Sequence, residues 1–274
     1  MDFTVVTPNL NGARYLDECL HSVAIQSGVS VEHIVVDGGS SDSSEDIVRR
    51  YPDVVWRSEG GAGISDAINI GFNRSKGDWV MWLNSDDRLN PGALSAVKRR
   101  VEGCDGVDIL YGSFNFIDAR GAVIRTMKLF RWIRFVSVHH CSYVPSTAAF
   151  YKRSTVIDVG LRLREDFHYV MDGEYYARLS SLGKTFCYFP IVLADFRLHS
   201  ENQSMKYLGK TRDMNRVLAA EKQHVESRAI RRVYGITLFE DPYLNGLVDG
   251  FLWLMGRVIR IVVKCFSKVP KTVS

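Results

Sequence analysis

Asn84-Ser85-Asp86-Asp87 stands directly after Trp79-Val80-Met81-Trp82-Leu83, and its side chains offer hard oxygen ligands. Five bulky apolar residues introduced by Gly77-Asp78 are too few for an ordinary helix and read as a strand buried on both faces. In open parallel α/β sheets, ligands collect just outside the carboxyl ends of the strands. Two adjacent carboxylates there repel each other unless a cation or ligand hydroxyls occupy the site. Such oxygens suit Mg²⁺ or Mn²⁺ bridging phosphate oxygens. The plain alternative is that Asp86 and Asp87 open a turn or cap the helix expected from Pro91.

Two more carboxylates stand at places where chemistry is done. Asp37 leaves the strand 31–36 and runs into Gly38-Gly39-Ser40-Ser41-Asp42, where glycines permit close approach and a Ser/Asp cap starts the next helix. An acidic residue so placed hydrogen-bonds a ribose or a base, and an ordinary turn aspartate is the equal alternative. Asp172, in Met171-Asp172-Gly173-Glu174-Tyr175-Tyr176, precedes a helical spacing of Glu174, Ala177/Arg178 and Ser181/Leu182. It therefore belongs at or near a helix N-terminus, which stabilises its ionised form; N-capping is the structural account of the same position. No Gly-x-Gly-x-x-Gly follows a strand and no Gly-x-x-x-x-Gly-Lys-Ser/Thr occurs, which disfavours an ordinary dinucleotide site and excludes a P-loop. His139-His140 are adjacent, so their rings diverge on a strand or a helix, and they read as pocket wall or core instead of a metal site.

The elements that must position these groups alternate. Residues 3–7 form a β-branched strand ended by Pro8, followed by a loop at 9–12 and a helix over 13–26. Strands at 31–36 and 54–58, helices at 44–51 and 64–73, and the Gly60-Gly61-Ala62-Gly63 loop lead into the central strand. Short loops between alternating strands and helices predict an α/β fold, a mostly parallel sheet with helices on both faces. Beyond it come a helix at 91–101, a strand at 108–115, a hairpin turn at 118–121 and a last strand region at 186–194. Residues 128–135 alternate basic with large apolar side chains, as an edge strand or surface helix with snorkelling arginines does. A membrane-facing lip is the sharper reading of that stretch.

Composition bounds the rest. The 274 residues, 46% hydrophobic, suffice for one large domain or a domain with an appendage. Five cysteines without Cys-x-x-Cys spacing suggest reduced core thiols. No apolar run reaches the ~18 residues of a membrane span, and no signal peptide is expected ahead of the first strand. The formal charge of +4 is uneven: residues 204–274 carry a net +7 and residues 1–203 a net −3. A basic terminal segment calls for an anionic surface as partner; no nucleic-acid motif is present, which leaves membrane phosphate.

Four stretches together resemble a known family: Val5-Val6-Thr7-Pro8-Asn9, Val35-Val36-Asp37-Gly38-Gly39-Ser40-Ser41-Asp42, Gly63-Ile64-Ser65-Asp66-Ala67-Ile68-Asn69-Ile70-Gly71 and Leu83-Asn84-Ser85-Asp86-Asp87. They are similar to the family 2 inverting glycosyltransferases, GT-A enzymes that use nucleotide-activated sugars. The resemblance runs over about residues 1–204 and implies a catalytic domain there, with 205–274 as a basic helical extension. It implies a donor site of Thr7, Pro8, Asn9, Asp37, Gly38, Asp66, Asn84, Ser85 and Arg197. It places Mn²⁺ or Mg²⁺ on Asp86, with Asp87 as the alternative one register on and His199 within approach. The usual Asp-x-Asp metal motif has Asn84 at its first position, which brings no charge. Asp172 takes the place of the base that deprotonates the acceptor hydroxyl, supported by Glu174. Residues 145–153 resemble the segment beneath the acceptor site, and 196–204 the tail that folds over the diphosphate.

The expected activity is transfer from a nucleotide-sugar, a UDP-sugar first, to a glycan or lipid-linked acceptor in envelope polysaccharide or glycolipid synthesis. A non-catalytic nucleotide-sugar-binding module is the rival. In the extension, Arg257, Arg260, Lys264, Lys268 and Lys271 follow at steps of 3, 4, 4 and 3, one helical stripe beside an apolar surface. Residues 244–271 are thus expected to lie on the cytoplasmic face of an anionic membrane. Packing on a second copy of the chain is the competing reading.

Overall fold

The structure is a computed structural model, and it describes residues 1–139, 142–200, 202, 222, 225–230, 233–234 and 250–261. Its first half is the predicted alternation. Strands β1 (Phe3–Asn9), β2 (Val31–Asp37), β3 (Val54–Ser58) and β4 (Trp79–Trp82) pair in parallel in the order β3-β2-β1-β4. Helices α1 (Ala13–Ala24), α2 (Ser44–Val48) and α3 (Ile64–Arg74) cross between them. Side chains alternate across the sheet, so Ile34 and Val36 pack with Ala67, Ile68 and Phe72 of α3 while Val35 packs with Leu16, Leu20 and Val48 of α1 and α2. That is why Ile34, Val35 and Val36 of β2 follow one another without a polar residue: both faces are covered there. β1 does not stop at Pro8. Pro8 pairs with Val36 and Asn9 with Asp37, because the fixed φ of proline suits extended backbone.

The second half departs from simple alternation. β5 (Arg88–Leu89) leads to α4 (Ala93–Val101), and β6 (Ile109–Ile117) turns at residues 118–121 into β7 (Val123–Met127) as a hairpin. After α5 (Arg134–His139) and a short turn at Ser146–Ala148 comes β8 (Ala149–Lys152), antiparallel to both β4 and β6. A π-helical turn at Arg153–Ile157 leads to α6 (Met171–Ser181) and then β9 (Phe186–Arg197), parallel to β6 and antiparallel to β5. The sheet order is β3-β2-β1-β4-β8-β6-β9-β5, with β7 on β6. Thus β4, with the acidic pair behind it, lies near the middle.

Residues 128–135 are neither an edge strand nor a lip. Leu129 and Phe130 are buried and Trp132 stacks on Phe186 at 4.1 Å, leaving Lys128, Arg131 and Arg134 outside. The alternation has the bland cause, apolar side chains in the core and cations in water. His139 is likewise core, 4.8 Å from the Phe135 ring; His140 lies outside the described residues. No described helix is long and apolar enough to cross a membrane.

Candidate active site

Three loops meet at the carboxyl ends of β1, β2 and β3. The Gly38 N–H donates to the Asn9 carbonyl (2.9 Å) and the Glu59 N–H to the Asp37 carbonyl (2.7 Å). A Cβ on Gly38 would stand 3.0 Å from the Ala62 carbonyl oxygen, and one on Gly12 only 2.2 Å from Asn9 Oδ1 and 2.7 Å from Ser85 Oγ. The loop after β1 therefore closes onto the loops after β2 and β4 because glycine stands at both crossings.

Asp37 holds this junction. Buried, it accepts from Asn9 Nδ2 (2.8 Å) and the Ser40 hydroxyl on Oδ1, and from the N–H groups of Gly39 (3.0 Å) and Ser40 (2.8 Å) on Oδ2. Both carboxylate oxygens are thus engaged in shaping its own turn. Thr7 and Pro8 are buried, and the Thr7 hydroxyl pairs with His33 Nε2 at 2.8 Å, inside the sheet. Burial lowers the His33 pKa to about 3 and keeps the ring neutral. Asp66 sits half-buried in the first turn of α3, and its neighbour Ser65 reaches Met171 Sδ at 2.9 Å, so the starts of α3 and α6 adjoin.

At the end of β4 the two acidic residues have opposite surroundings. Asp87 is 1% exposed; its Oδ1 accepts the Arg197 backbone N–H (2.9 Å) and its Oδ2 the Asn84 amide (3.3 Å). Burial, and then the charge of Asp86, pushes its pKa well above the usual carboxylate range. Asp86 is partly exposed, and its Oδ2 meets His199 Nε2 and Asn202 Nδ2, each at 2.9 Å. Between the two, Asp86 is the carboxylate a ligand can reach. Two buried amide oxygens nearby, Asn9 Oδ1 and Asn84 Oδ1, have no hydrogen-bond partner among the described residues, and acceptors in that state are rare unless something else satisfies them.

The fit to Mn²⁺ or Mg²⁺ rests on this geometry. Asp86 Oδ2 and His199 Nε2 are hydrogen-bonded to each other at 2.9 Å, an oxygen and a ring nitrogen that could turn from that bond to an ion. Among the described residues no three His, Cys, Asp or Glu side chains gather as a metal cage. A pair suits an ion that keeps waters and substrate phosphate oxygens for its other positions.

Arg197 is not where the sequence reading put it. It is 1% exposed, with Nε donating to the Asp86 carbonyl (2.8 Å), Nη2 to Glu18 (2.5 Å), and its guanidinium 4.6 Å from the centroid of the Tyr15 ring. Glu18 also pairs with Arg88, whose Nε reaches Asp195 at 2.7 Å. This chain of alternating charges runs beneath the acidic pair and fixes its backbone; the guanidinium has no face left for a diphosphate. Tyr15 and Glu18, both on α1, were missed in sequence although they flank the apolar stripe of that helix. Asn202 was missed too; its signal is its place three residues after His199.

The second carboxylate opens α6. Val170, not Asp172, is the N-cap residue, and Asp172 lies in the first turn, where its Oδ1 accepts the Gly173 N–H at 2.7 Å. Burial raises the Asp172 pKa, which the Gly173 N–H only partly offsets. Beside it the Tyr151 hydroxyl donates to that of Tyr176 (3.0 Å); burial raises both phenols, followed by the charge of Asp172 at Tyr176 and by the neighbouring tyrosines at Tyr151. Tyr151 in turn stacks flat on Trp82 at 5.3 Å, so β4, β8 and α6 share one aromatic block behind the site. Glu174 is fully buried in a two-bond pair with Arg178 (2.8 and 3.1 Å) and accepts from the Tyr234 hydroxyl (2.7 Å), a structural arrangement.

Residues 4–159 match the family described as "Glycosyl transferase family 2". The chain belongs to that family. An "Uncharacterized glycosyltransferase" of Rickettsia felis is 31% identical over 130 residues, 46% of this chain and 21% of that protein. A "PGL/p-HBAD biosynthesis glycosyltransferase" of Mycobacterium bovis is 30% identical over 136 residues, 47% of this chain and 50% of that one. The matches thus span about a fifth to a half of these relatives' lengths. Among solved structures, S. aureus TarS 1–349 in complex with UDP-GlcNAc superposes with a TM-score of 0.63 at 15% identity, over 93% of this chain and 79% of TarS 1–349. The mannosyltransferase PcManGT of Pyrobaculum calidifontis, in complex with GDP-Man and Mn²⁺, gives 0.62 at 15% identity, over 98% and 76%. At such identities the likeness is one of fold, and the fold is the GT-A type expected.

Proposed function

We propose that this glycosyltransferase moves a sugar from a nucleotide-sugar, a UDP-sugar first, to a hydroxyl of a glycan or lipid-linked acceptor, with inversion, in building cell-envelope polysaccharide or glycolipid. One observation carries the reading. Two carboxylates at the site differ in kind: both are partly exposed, but Asp86 is bonded to His199 and Asn202, while burial raises the pKa of Asp172 in the first turn of α6. Carboxylates set in opposed environments mark a division of roles. The name of the mycobacterial relative and the UDP-GlcNAc held by TarS support the acceptor class and the nucleotide.

Asp86 and His199 would hold the metal, which when bound neutralises charge on the departing diphosphate. PcManGT with its Mn²⁺ supports that choice. Asn9 and Asn84 supply the unpartnered amide oxygens to ribose hydroxyls, and Asp37, through its turn, sets the backbone of Gly38 against the nucleotide. The acceptor oxygen attacks the anomeric carbon opposite the diphosphate. The bond from that carbon to the diphosphate oxygen breaks with its electrons going to the phosphate, and the hydroxyl proton passes to Asp172. The raised pKa suits the task, since a base with some affinity for the proton takes it more readily.

Helix 250–261 supports a place at an anionic membrane. Phe251, Leu254, Met255, Val258 and Ile261 are 41–62% exposed on one stripe, and Arg257 lies 5.6 Å from the Trp253 ring centroid. Lys264, Lys268 and Lys271 of the basic stripe lie outside the described residues. Cutting the chain after Glu240 should abolish co-sedimentation with anionic liposomes and leave donor hydrolysis intact. A full chain that ignores liposomes but falls from dimer to monomer on truncation would instead assign the stripe to self-association.

The reaction is tested by Asp172→Asn on the donor selected by thermal shift from UDP-, GDP- and dTDP-sugars. Turnover should fall ~10²–10⁴-fold with donor affinity held within about twofold. Unchanged turnover removes Asp172 from its role, and donor binding with no turnover in the wild type under any acceptor tried favours the non-catalytic module.

A further inference from the structure

Helix α6 begins without a side-chain cap of its own, so its leading N–H groups need partners from elsewhere. The N-cap amide and the two before it find theirs far along the chain. Glu226 accepts the N–H of His168 on Oε1 (3.0 Å) and those of Tyr169 (2.8 Å) and Val170 (3.1 Å) on Oε2. These three amides immediately precede Met171 and Asp172. A carboxylate here also sits at the positive end of the helix dipole.

The same segment touches α6 twice more. Ile230 is buried in a cluster with Val138, Phe167 and Ala177, and its Cδ1 lies 3.8 Å from where a Cβ on Gly173 would be. The Tyr234 hydroxyl donates to Glu174 (2.7 Å), while the Tyr234 carbonyl accepts from Arg134 (2.7 Å). Glu226, Ile230 and Tyr234 follow at steps of four, the spacing that lines up one face of a helix. Residues 225–230 are helical, as are Val233 and Tyr234. An anion, an apolar anchor and a hydroxyl thus meet the loop, the middle and the buried ion pair of α6 in order.

We propose that residues 225–230, together with Val233 and Tyr234, are a latch that sets the position of Asp172, with Glu226 as its positioning residue. The proposal rests on Asp172 as base but adds a residue outside the 4–159 match, in a stretch that was expected to be part of an appendage. Its reasoning is mechanical. Asp172 is the second residue of α6, so its carboxylate follows the first turn of the helix, and that turn is tied by the amides that Glu226 holds. Misplacing a reacting group by about 1 Å costs up to ~10²-fold in rate. Binding of the donor at the ends of β1 to β4 should feel little of it.

The titratable groups on the elements packed about this turn include Tyr151 of β8, His139 and Arg134 of α5, Asp66 of α3, Tyr175, Tyr176 and the Glu174–Arg178 pair of α6, Arg162, the Arg164–Asp166 pair, His168 and Tyr169 before it, and Glu226 with Tyr234. Only the last two are changed in the test.

Full-length Glu226→Gln and Tyr234→Phe are compared with the wild type in hydrolysis of the selected nucleotide-sugar, followed by release of its nucleotide, and in amide hydrogen exchange. In Glu226→Gln, kcat should fall about tenfold with donor KM within twofold, and its acid limb should move down as Asp172 becomes hydrated. Amides 168–172 should exchange faster while those of β1 and β4 do not. Tyr234→Phe should show the same pattern, weaker. Glu226→Asp should recover part of the rate, since it restores the charge at a shorter reach. Wild-type kcat and acid limb in both Glu226→Gln and Tyr234→Phe overturn the latch, as does a loss accounted for wholly by unfolded protein in Glu226→Gln together with a wild-type Tyr234→Phe. If Asp172→Asn is itself fully active, it is the base assignment that fails, and the exchange result still judges the latch.

Discussion

The donor side and the acceptor side of this site are built in different ways. On the proposed donor side the loops after β1 and β2 directly continue buried parallel strands and bond to each other across 28 to 31 residues, as Asn9 with Asp37 and with Ser40. On the proposed acceptor side Asp172 lies in the first turn of a helix whose N-cap and preceding amides are held by a residue 56 to 58 positions further on. A strand end is aimed by its neighbours in the sheet. A helix start is aimed by whatever holds its first turn, and that can come from anywhere in the chain.

Several variants break or sharpen this contrast. The largest effect belongs to Asp86→Ala, which should abolish Mn²⁺- or Mg²⁺-dependent donor binding measured by calorimetry. Asn84→Asp, restoring a carboxylate on the same loop, should keep or strengthen it. Full donor affinity of Asp86→Ala in metal would move the ion elsewhere.

Next comes Arg197→Ala. It leaves Glu18 without one of its two arginines and the Asp86 carbonyl without its guanidinium donor, and should cost about 3 kcal/mol in denaturant unfolding. Were Arg197 a phosphate ligand instead, stability would hardly change and donor affinity would collapse.

The pH dependence divides the two sides by sign. Asp172 must be ionised to act, and its pKa is raised, so the rate should fall with decreasing pH through a limb lying above the ordinary carboxylate value of 3.8. Asp87 is also raised, so the folded chain binds its proton more readily than the unfolded one. Its contribution to stability therefore declines as pH rises from the ordinary carboxylate value towards the folded one. Asp87→Asn should remove that slope from urea melts taken across pH and leave the rate limb in place.

The smallest effect is expected of Thr7→Val, which deletes the bond to His33 at about 1 kcal/mol with donor KM unchanged. A clear rise in KM would return Thr7 to the nucleotide pocket.

The sheet's parallel half was legible because apolar runs that stop at polar, glycine-rich turns mark the carboxyl ends of its strands, and Asp37 and Asp86 stand at such stops. What was not legible is partnership. An arginine three residues beyond Ala194 reads alike whether it faces phosphate or Glu18, 179 residues away. Thr7 lies on β1 beside the register pair Val5 and His33, and the lone histidine in that otherwise β-branched run was the sign that its hydroxyl had a use indoors. Proline at 8 suggested a strand end by habit, whereas its φ is compatible with a strand. Nothing in the sequence around Glu226 points back to residues 168–170.

The bond from Arg197 to Asp87 spans 110 residues, and a ribosome makes the chain in one direction. Asp86 and Asp87 leave the exit tunnel long before β9 exists, so the nascent protein passes through a stage with its nucleotide loops formed and its acidic pair untethered. Donor binding is therefore a late event in synthesis. Nascent chains stalled with residue 185 just exposed should ignore nucleotide-sugar and Mn²⁺ in a protease-protection assay, and those exposing residue 204 should gain protection from both. Protection already present in the shorter chains would show that β9 is dispensable for the donor side.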